Sequence, residues 1–458
     1  MKEHIEKINE IMSSAKKVHF IGAGGISVSS LASITKSAGY SVTGSDRTRS
    51  ELTDKLVSEG IPLVYGHFAE SVHGADIVVY TAAVRNGNPE LDEAKKLGIP
   101  CFTRAEYLGW LMSRSPVRIG VAGCHGKSTV TAMISEIMIQ AGLDPTVVCG
   151  AEIRELGGSA YRTGKGGGFV FEACEYCDSF LSFLPTVAVV TNVEFDHPDY
   201  FRDMDMLRDS YARYASIGDT VIYNADDAES LKMIELLPDR VKKISFGLGD
   251  ADYSAADVAF DGVSSSFTLL RRGEPITGVR LSLPGKYNVC NALAASAAAL
   301  ECGASPDDVP AALRDFRGVA RRFEYLGVTK RGAVVYDDYA HHPTELRSVI
   351  SAAKSLGKRL VCLFQPHTYS RTASLFGEFA EALSIADVAV LVDIYAAREV
   401  NKWNVSSEQL AEAIPGGIYG GSVTDSAKYA AENFGEGDMI LILGAGDIIA
   451  AGKTIFDF

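Results

Sequence analysis

The chain is 458 residues long, 47% apolar and 22% charged, with 58 acidic residues against 44 basic ones and a net charge of −14. These values exclude a wholly disordered or collagen-like chain and suggest about three domains at roughly 150 residues each. The acidic balance argues against a diffuse nucleic-acid or anionic-membrane coat, so an anionic ligand must be held by locally placed cations and backbone N–H groups.

Short apolar runs, mostly β-branched, alternate with helix-length segments along the whole chain. In order they are Val18–Ile21, Ile77–Tyr80, Val117–Ala122, Phe169–Glu172, Val187–Asn192, Val221–Asn224, Val334–Asp337, Arg359–Phe364, Val388–Val392 and Met439–Leu443. Several end in Gly, Asp or Asn. Buried parallel strands have this pattern, with function at their C-terminal ends, and the fold class expected is α/β. Strand-to-glycine turns begin near residues 18 and 117, and a third strand series begins near 334. Domain breaks are expected at Arg114-Ser115-Pro116 and near Gly318–Arg322.

Cys101, Cys124, Cys149, Cys174, Cys177, Cys290, Cys302 and Cys362 are scattered, unlike a disulfide framework. Cys174 and Cys177 form the one close pair, without a second pair to complete a four-thiolate metal site. Reduced thiols are expected. The start, Met1-Lys2-Glu3-His4-Ile5-Glu6, has no apolar core of signal-peptide length, and no run approaches the roughly 18 apolar residues of a membrane span. A soluble cytoplasmic protein with no nucleic-acid or membrane partner is expected.

The segment Val18-His19-Phe20-Ile21-Gly22-Ala23-Gly24-Gly25-Ile26-Ser27 follows a strand and opens a helix. It is a Gly-x-Gly-x-x-Gly turn with Ser27 in place of the last glycine, and such a turn lets a pyrophosphate sit on the helix N-terminus. Asp46 ends the next strand, where a carboxylate can accept from a ribose hydroxyl. A diphosphate-linked nucleotide is the functional reading; a turn that only packs strand on helix is the structural one.

Gly123-Cys124-His125-Gly126-Lys127-Ser128-Thr129 follows the strand Val117–Ala122 and precedes a helix. It is a shortened phosphate loop, Gly-x-x-Gly-Lys-Ser. Glycines expose N–H donors, Lys127 reaches β/γ phosphates and Ser128 can ligate Mg²⁺. A dehydrogenase explains the first turn but leaves this loop without a purpose. An ATP-driven enzyme acting on a nucleotide-linked substrate explains both.

Other polar clusters end later strands. Glu172 and Glu175 offer hard oxygen ligands suited to Mg²⁺. Thr191–Pro198 carries Asn192, Glu194, Asp196 and His197, and in a parallel sheet Glu175 and His197 would line one crevice. Asn288 and Asn291 open an alanine-rich helix, as a cap or an adenine contact. Arg317, Arg321 and Arg322 form either a solvated turn or a hinge that touches phosphates. Asp337-Asp338-Tyr339-Ala340-His341-His342-Pro343-Thr344-Glu345 and Gln365-Pro366-His367-Thr368-Tyr369-Ser370-Arg371-Thr372 follow strands, and Arg371 can clamp a carboxylate.

Taken in order from His19 to Asp447, these segments resemble the Mur ligase family of cell-wall synthesis. The Asp337–Glu345 segment is the most specific of them and the N-terminal turn the least. The resemblance implies a UDP-binding Rossmann-like domain over 1–114, a P-loop-type central ATPase over 115–320 and a Rossmann-like amino-acid-binding domain over 321–458. It implies an ATP-dependent ligase joining L-alanine to the lactyl carboxylate of UDP-N-acetylmuramate through an acyl phosphate. A sister ligase for a recycled peptide and a UDP-sugar-binding regulator are the alternatives, and an oligomer is left open.

By resemblance, ATP is held by Gly123, Cys124, His125, Gly126, Lys127, Ser128, Thr129, Asn291 and Arg322. The UDP-linked substrate is held by Gly22, Gly24, Gly25, Ile26, Ser45, Asp46, His67 and His197. Ser128, Glu175 and His197 ligate Mg²⁺. Lys127, His342 and Arg371 are the catalytic set, and His367 lies near the incoming amino acid. Cys124 and Ser128 depart from the family's threonines, and Thr368 stands where many relatives carry arginine.

Overall fold

Three separate β-sheets organise the chain, and the computed structural model describes residues 2–81, 84, 87–197 and 200–458. Contacts divide the chain into two units. One holds residues 1–254, 269–277 and 291–312; the other holds 255–268, 278–290 and 313–458.

In the first unit, a five-stranded sheet has the order Leu63–Tyr65, Ser41–Asp46, Lys17–Ile21, Ile77–Tyr80, Cys101–Thr103. All four pairings are parallel. The chain order reverses at Lys17–Ile21, so a crevice opens beyond its C-terminal end, where Gly22 stands. The second sheet has ten strands; beyond Tyr253–Asp261, Ser264–Arg271 and Glu274–Leu281 at one edge, the seven that lie wholly in this unit run Lys242–Phe246, Thr220–Asn224, Val187–Val190, Val117–Ala122, Gly168–Glu172, Thr146–Ile153, Ser159–Arg162. Among these seven only the last pairing is antiparallel. Val117–Ala122 therefore lies between the strands that end at Glu172 and Val190, and three strand ends share one edge. A buried core from Ile8 to Val241 joins both sheets. Val187–Val190 is a buried, mostly β-branched run, as both faces of a covered parallel sheet require.

The second unit holds a six-stranded sheet: Glu324–Val328, Val334–Asp338, Asp438–Leu443, Arg359–Phe364, Val388–Val392, Gly417–Gly421. Glu324–Val328 is antiparallel and the rest are parallel. Apolar clusters cover both faces, one around Leu346 and Phe379, the other around Ala427 and Ile448.

The runs Ile77–Tyr80, Val117–Ala122, Arg359–Phe364 and Val388–Val392 are strands with the expected bounds. All eight cysteines are free thiols, as expected. Among the described residues no helix is long and apolar enough to cross a membrane.

The helix Lys127–Gln140 carries one group that makes stability depend on pH. Glu136 Oε1 is buried with no hydrogen-bond partner among the described residues. Burial pushes this carboxyl up to about 7, with Glu155 adding to the rise and Arg162 opposing it. The unfolded carboxyl titrates near 4.5. Between those values the folded chain keeps a proton that the unfolded chain has lost, so stability falls as pH rises through that window. Glu136→Gln is expected to raise the melting temperature at pH 8 and to leave it nearly unchanged at pH 4.5. Equal shifts in thermal melts at the two pH values would contradict this.

Candidate active site

The loop after Val117–Ala122 turns at Gly126, whose φ of +80° places it in the left-handed region as N-cap of the Lys127–Gln140 helix. A Cβ there would also stand 2.6 Å from Asn291 Oδ1, so only glycine fits. No side chain caps this helix, which leaves its first N–H groups to a ligand. Asn291, predicted from a distant helix, is thus brought against the loop. Thr129 and Ser128 are buried in the first helical turn.

The neighbouring strand end staples the loop. His125 N–H donates to Asn192 Oδ1 at 2.9 Å, and Thr191 Oγ1 donates to His125 O at 2.5 Å. His125 Nε2 lies 2.7 Å from Glu194 Oε2. Cys124, the departure from threonine, keeps a reciprocal pair: its thiol donates to Glu194 O at 2.8 Å and Sγ accepts from Glu194 N–H at 3.2 Å. Burial pushes that thiol well above its ordinary range, so it is a structural donor and not a nucleophile.

Lys127 folds back into the loop. Its Nζ donates to Gly123 O at 2.5 Å and Cys124 O at 3.2 Å, and pairs with Glu175 at 3.3 Å. Burial pulls the ammonium down, but Glu175 and the neighbouring Cys174 and Glu172 carry it above the ordinary lysine range. Burial likewise pushes Glu175 up, and Lys127 and His197 bring it below the carboxylate range. The pair is ionised. His197 Nε2 approaches Glu175 Oε1 at 3.5 Å, and its backbone is held at φ +57°, an uncommon conformation for histidine.

Glu172 stands with Glu175 among the hard oxygen ligands read from the sequence but outside the set the resemblance implies. Ser128 Oγ donates to it at 2.7 Å and Gly150 N–H at 2.9 Å. The adjacency of the two strands, invisible in the sequence, puts Ser128 on Glu172 while Lys127 takes Glu175. Glu175, buried, and Glu172, half-buried, offer hard oxygens of the kind Mg²⁺ prefers, beside the Ser128 hydroxyl and the His197 imidazole.

In the first sheet, Gly22 and Ala23 N–H groups donate to Ser45 O at 2.8 and 2.9 Å. Gly24 N–H donates to Asp46 Oδ2 at 2.7 Å. Gly25 caps the Ile26–Ser37 helix with no side chain, and Ile26 is exposed. His67 stands beside Ser45, its Nδ1 3.4 Å from the serine hydroxyl.

In the second unit, Arg322 pairs with Glu345 at 3.4 Å and lies over the Tyr339 ring. Arg321, held at φ +60°, binds Asp337 at 2.9 Å and donates to Gly444 O at 2.6 Å. His342 is buried and caps the Pro343–Lys354 helix, with Nδ1 accepting from Thr344 N–H at 3.4 Å. Arg371 lies 3.4 Å from His367, whose ring stacks on Tyr395. Thr368 has φ +68° and receives no cap bond, so its departure falls on a strained turn. Asn288 Nδ2 donates to Pro284 O at 2.8 Å from inside the Lys286–Glu301 helix, a bond back to the preceding turn, whereas a cap would accept from a helix N–H.

A glycine-bounded lysine loop at one strand end, flanked by acidic strand ends and preceded by a sheet with its own glycine turn, defines an α/β enzyme that handles nucleotide phosphates. Residues 17–116 match the model for the Mur ligase family catalytic domain, 121–299 the Mur ligase middle domain, and 321–446 the Mur ligase glutamate ligase domain. The chain is 42% identical over 452 residues to UDP-N-acetylmuramate–L-alanine ligase of Caldanaerobacter subterraneus subsp. tengcongensis, covering 96% of this chain and 97% of that one. It is 41% identical to the enzyme of the same name from Agathobacter rectalis, covering 96% and 97%. Among solved structures, a UDP-N-acetylmuramate–alanine ligase from Thermotoga maritima superposes with TM-score 0.82 at 28% identity, covering 96% and 98%. The chain belongs to the Mur ligase family and has its three-domain α/β fold.

Proposed function

We propose that this protein is an ATP-dependent ligase that joins L-alanine to the lactyl carboxylate of UDP-N-acetylmuramate, releasing ADP and phosphate, in cytoplasmic synthesis of a peptidoglycan precursor. The observation that carries the reading is Lys127, set in its glycine loop against Glu175, in a chain 42% identical over nearly its whole length to a ligase of that name. We assign domains to 1–114, 115–320 and 321–458.

A carboxylate is a poor acyl donor because its leaving oxygen is too basic. Transfer of the γ-phosphoryl to the lactyl carboxylate makes an acyl phosphate, and the alanine amine then displaces phosphate. Lys127 exchanges its bonds to Gly123 O and Cys124 O for phosphate oxygens and neutralises the charge that builds on the transferred group. The helix N–H groups after Gly126 hold the phosphates, with Gly123, Cys124, His125, Ser128 and Thr129 shaping the cradle. Ser128, Glu175 and His197, together with Glu172, would hold Mg²⁺, which when bound polarises the phosphate oxygens. Asn291 and Arg322 contact the nucleotide. Gly22, Gly24, Gly25, Ile26, Ser45, Asp46, His67 and His197 take the UDP-linked substrate. Arg371 receives the alanine carboxylate, and buried His342 shapes the start of the helix beside it.

The test is phosphate release from ATP with UDP-N-acetylmuramate and each acceptor in turn. L-Alanine is expected to exceed glycine and serine by about tenfold or more in kcat/KM, the range one methylene or hydroxyl commands. A tripeptide preferred over L-alanine would make this a peptide-adding ligase. UDP-sugar binding without release would make it a regulator.

A further inference from the structure

Glu90 lies in the first turn of the Pro89–Lys96 helix and is fully buried. Its carboxylate gathers side chains from three other places in the first sheet. His19 Nε2 lies 2.8 Å from Oε2, and Ser45 Oγ donates to the same oxygen at 2.8 Å. His67 Nδ1 lies 2.7 Å from Oε1. Burial pushes this carboxyl up, but the bonds from His19, His67 and Ser45 bring it below its ordinary range. An ionised carboxylate only accepts, so both facing ring nitrogens carry hydrogens.

The two histidines differ at their second nitrogen. His19 Nδ1 lies 2.8 Å from Thr43 Oγ1, which closes that ring inside the fold. His67 Nε2 has no hydrogen-bond partner among the described residues, and its side chain is 18% exposed. A neutral imidazole that donates through Nδ1 has its acceptor at Nε2. The same cluster supports the glycine turn, because Ser45 accepts from Gly22 and Ala23 through its backbone while its hydroxyl donates to Glu90.

We propose that Glu90 is a positioning residue for nucleoside recognition: it fixes His67 with Nε2 outward as an acceptor for an O–H or N–H donor of the bound uridine. The proposal deepens the reading of a UDP-linked substrate and rests on it. The donor is a ribose hydroxyl or the imide N–H of uracil. A phosphate oxygen, itself an acceptor, does not pair with a nitrogen in this role.

The test is calorimetric titration of the whole protein at pH 8 with UDP, 2′-deoxy-UDP, 3′-deoxy-UDP and N3-methyl-UDP. One analogue is expected to bind about tenfold more weakly than UDP, identifying the donor. Glu90→Gln is expected to weaken UDP by about tenfold and to bind that analogue and UDP alike. In turnover it raises KM for UDP-N-acetylmuramate and leaves kcat within about twofold. The double variant Glu90→Gln, His67→Gln is expected to be no weaker than His67→Gln alone, because one residue acts through the other. Additive losses, full UDP affinity in Glu90→Gln, or no discrimination among the analogues would overturn the proposal. If Glu90→Gln does not fold, His67→Gln must still lose the discrimination. Failure of the unaltered protein to bind UDP would instead remove the UDP-linked reading, and this inference with it.

Discussion

Lys127→Ala is expected to abolish alanine-dependent phosphate release, lowering kcat/KM by about a thousandfold, while UDP affinity stays within about twofold. The lysine is the cation of the glycine loop, its ammonium paired with Glu175 and within 3.2 Å of two carbonyl oxygens that phosphate oxygens would replace. The glycine turn at Gly22 belongs to a different sheet and makes its own bonds to Ser45 and Asp46. Loss of the lysine therefore removes transition-state stabilisation without touching nucleoside binding. Initial rates at saturating ATP, set beside UDP titration of the same variant, check both halves. An alanine variant that turns over like the unaltered protein would refute the assignment of Lys127.

What could be read from the sequence follows from how much each feature depends on its neighbours in the chain. Val388–Val392 and Arg359–Phe364 were legible because a strand buried on both faces needs an uninterrupted apolar run. The loop Gly123–Ser128 was legible because its whole geometry is local: strand, glycines, lysine and helix in order. Tyr253–Asp261 and Glu274–Leu281 were not legible, since many of their residues are exposed and polar and carry no apolar run. The antiparallel Glu324–Val328 was missed because it is short, half-exposed and interrupted by glycine.

At the candidate site, residue types at strand ends were legible but partners were not. Glu175 was singled out, yet Ser128 lies against Glu172, because strand adjacency decides which carboxylate faces the hydroxyl. Cys124 read only as a departure from the family's threonine, and Glu194, 70 residues away, completes its bonding. Glu90 carried no signal at all. An acidic residue in the first turn of a helix is ordinary, and the histidine that makes it unusual is 71 residues distant.

Glu175→Gln is expected to lower stability by about 3 kcal/mol in the absence of nucleotide, and turnover by about a hundredfold or more. The carboxylate side chain is 2% exposed and its lysine partner 15%, so the neutral amide would leave the ammonium buried beside a lost charge. Burial penalises both ions, and it is their mutual attraction, with His197 on the far oxygen, that keeps them charged. Removing one partner is costly, but replacing both by neutral groups of similar shape is nearly neutral or even stabilising. The double variant Lys127→Met, Glu175→Gln is therefore expected to recover most of the stability lost by Glu175→Gln. It should recover none of the activity, because in the proposed mechanism the ammonium neutralises phosphate and the carboxylate oxygen holds Mg²⁺. Urea unfolding of the two variants without ligands, followed by initial rates across a Mg²⁺ titration, separates these effects. If the double variant were no more stable than the single one, the pair would not be an isolated buried ion pair, and the charge balance assigned to this loop would be wrong.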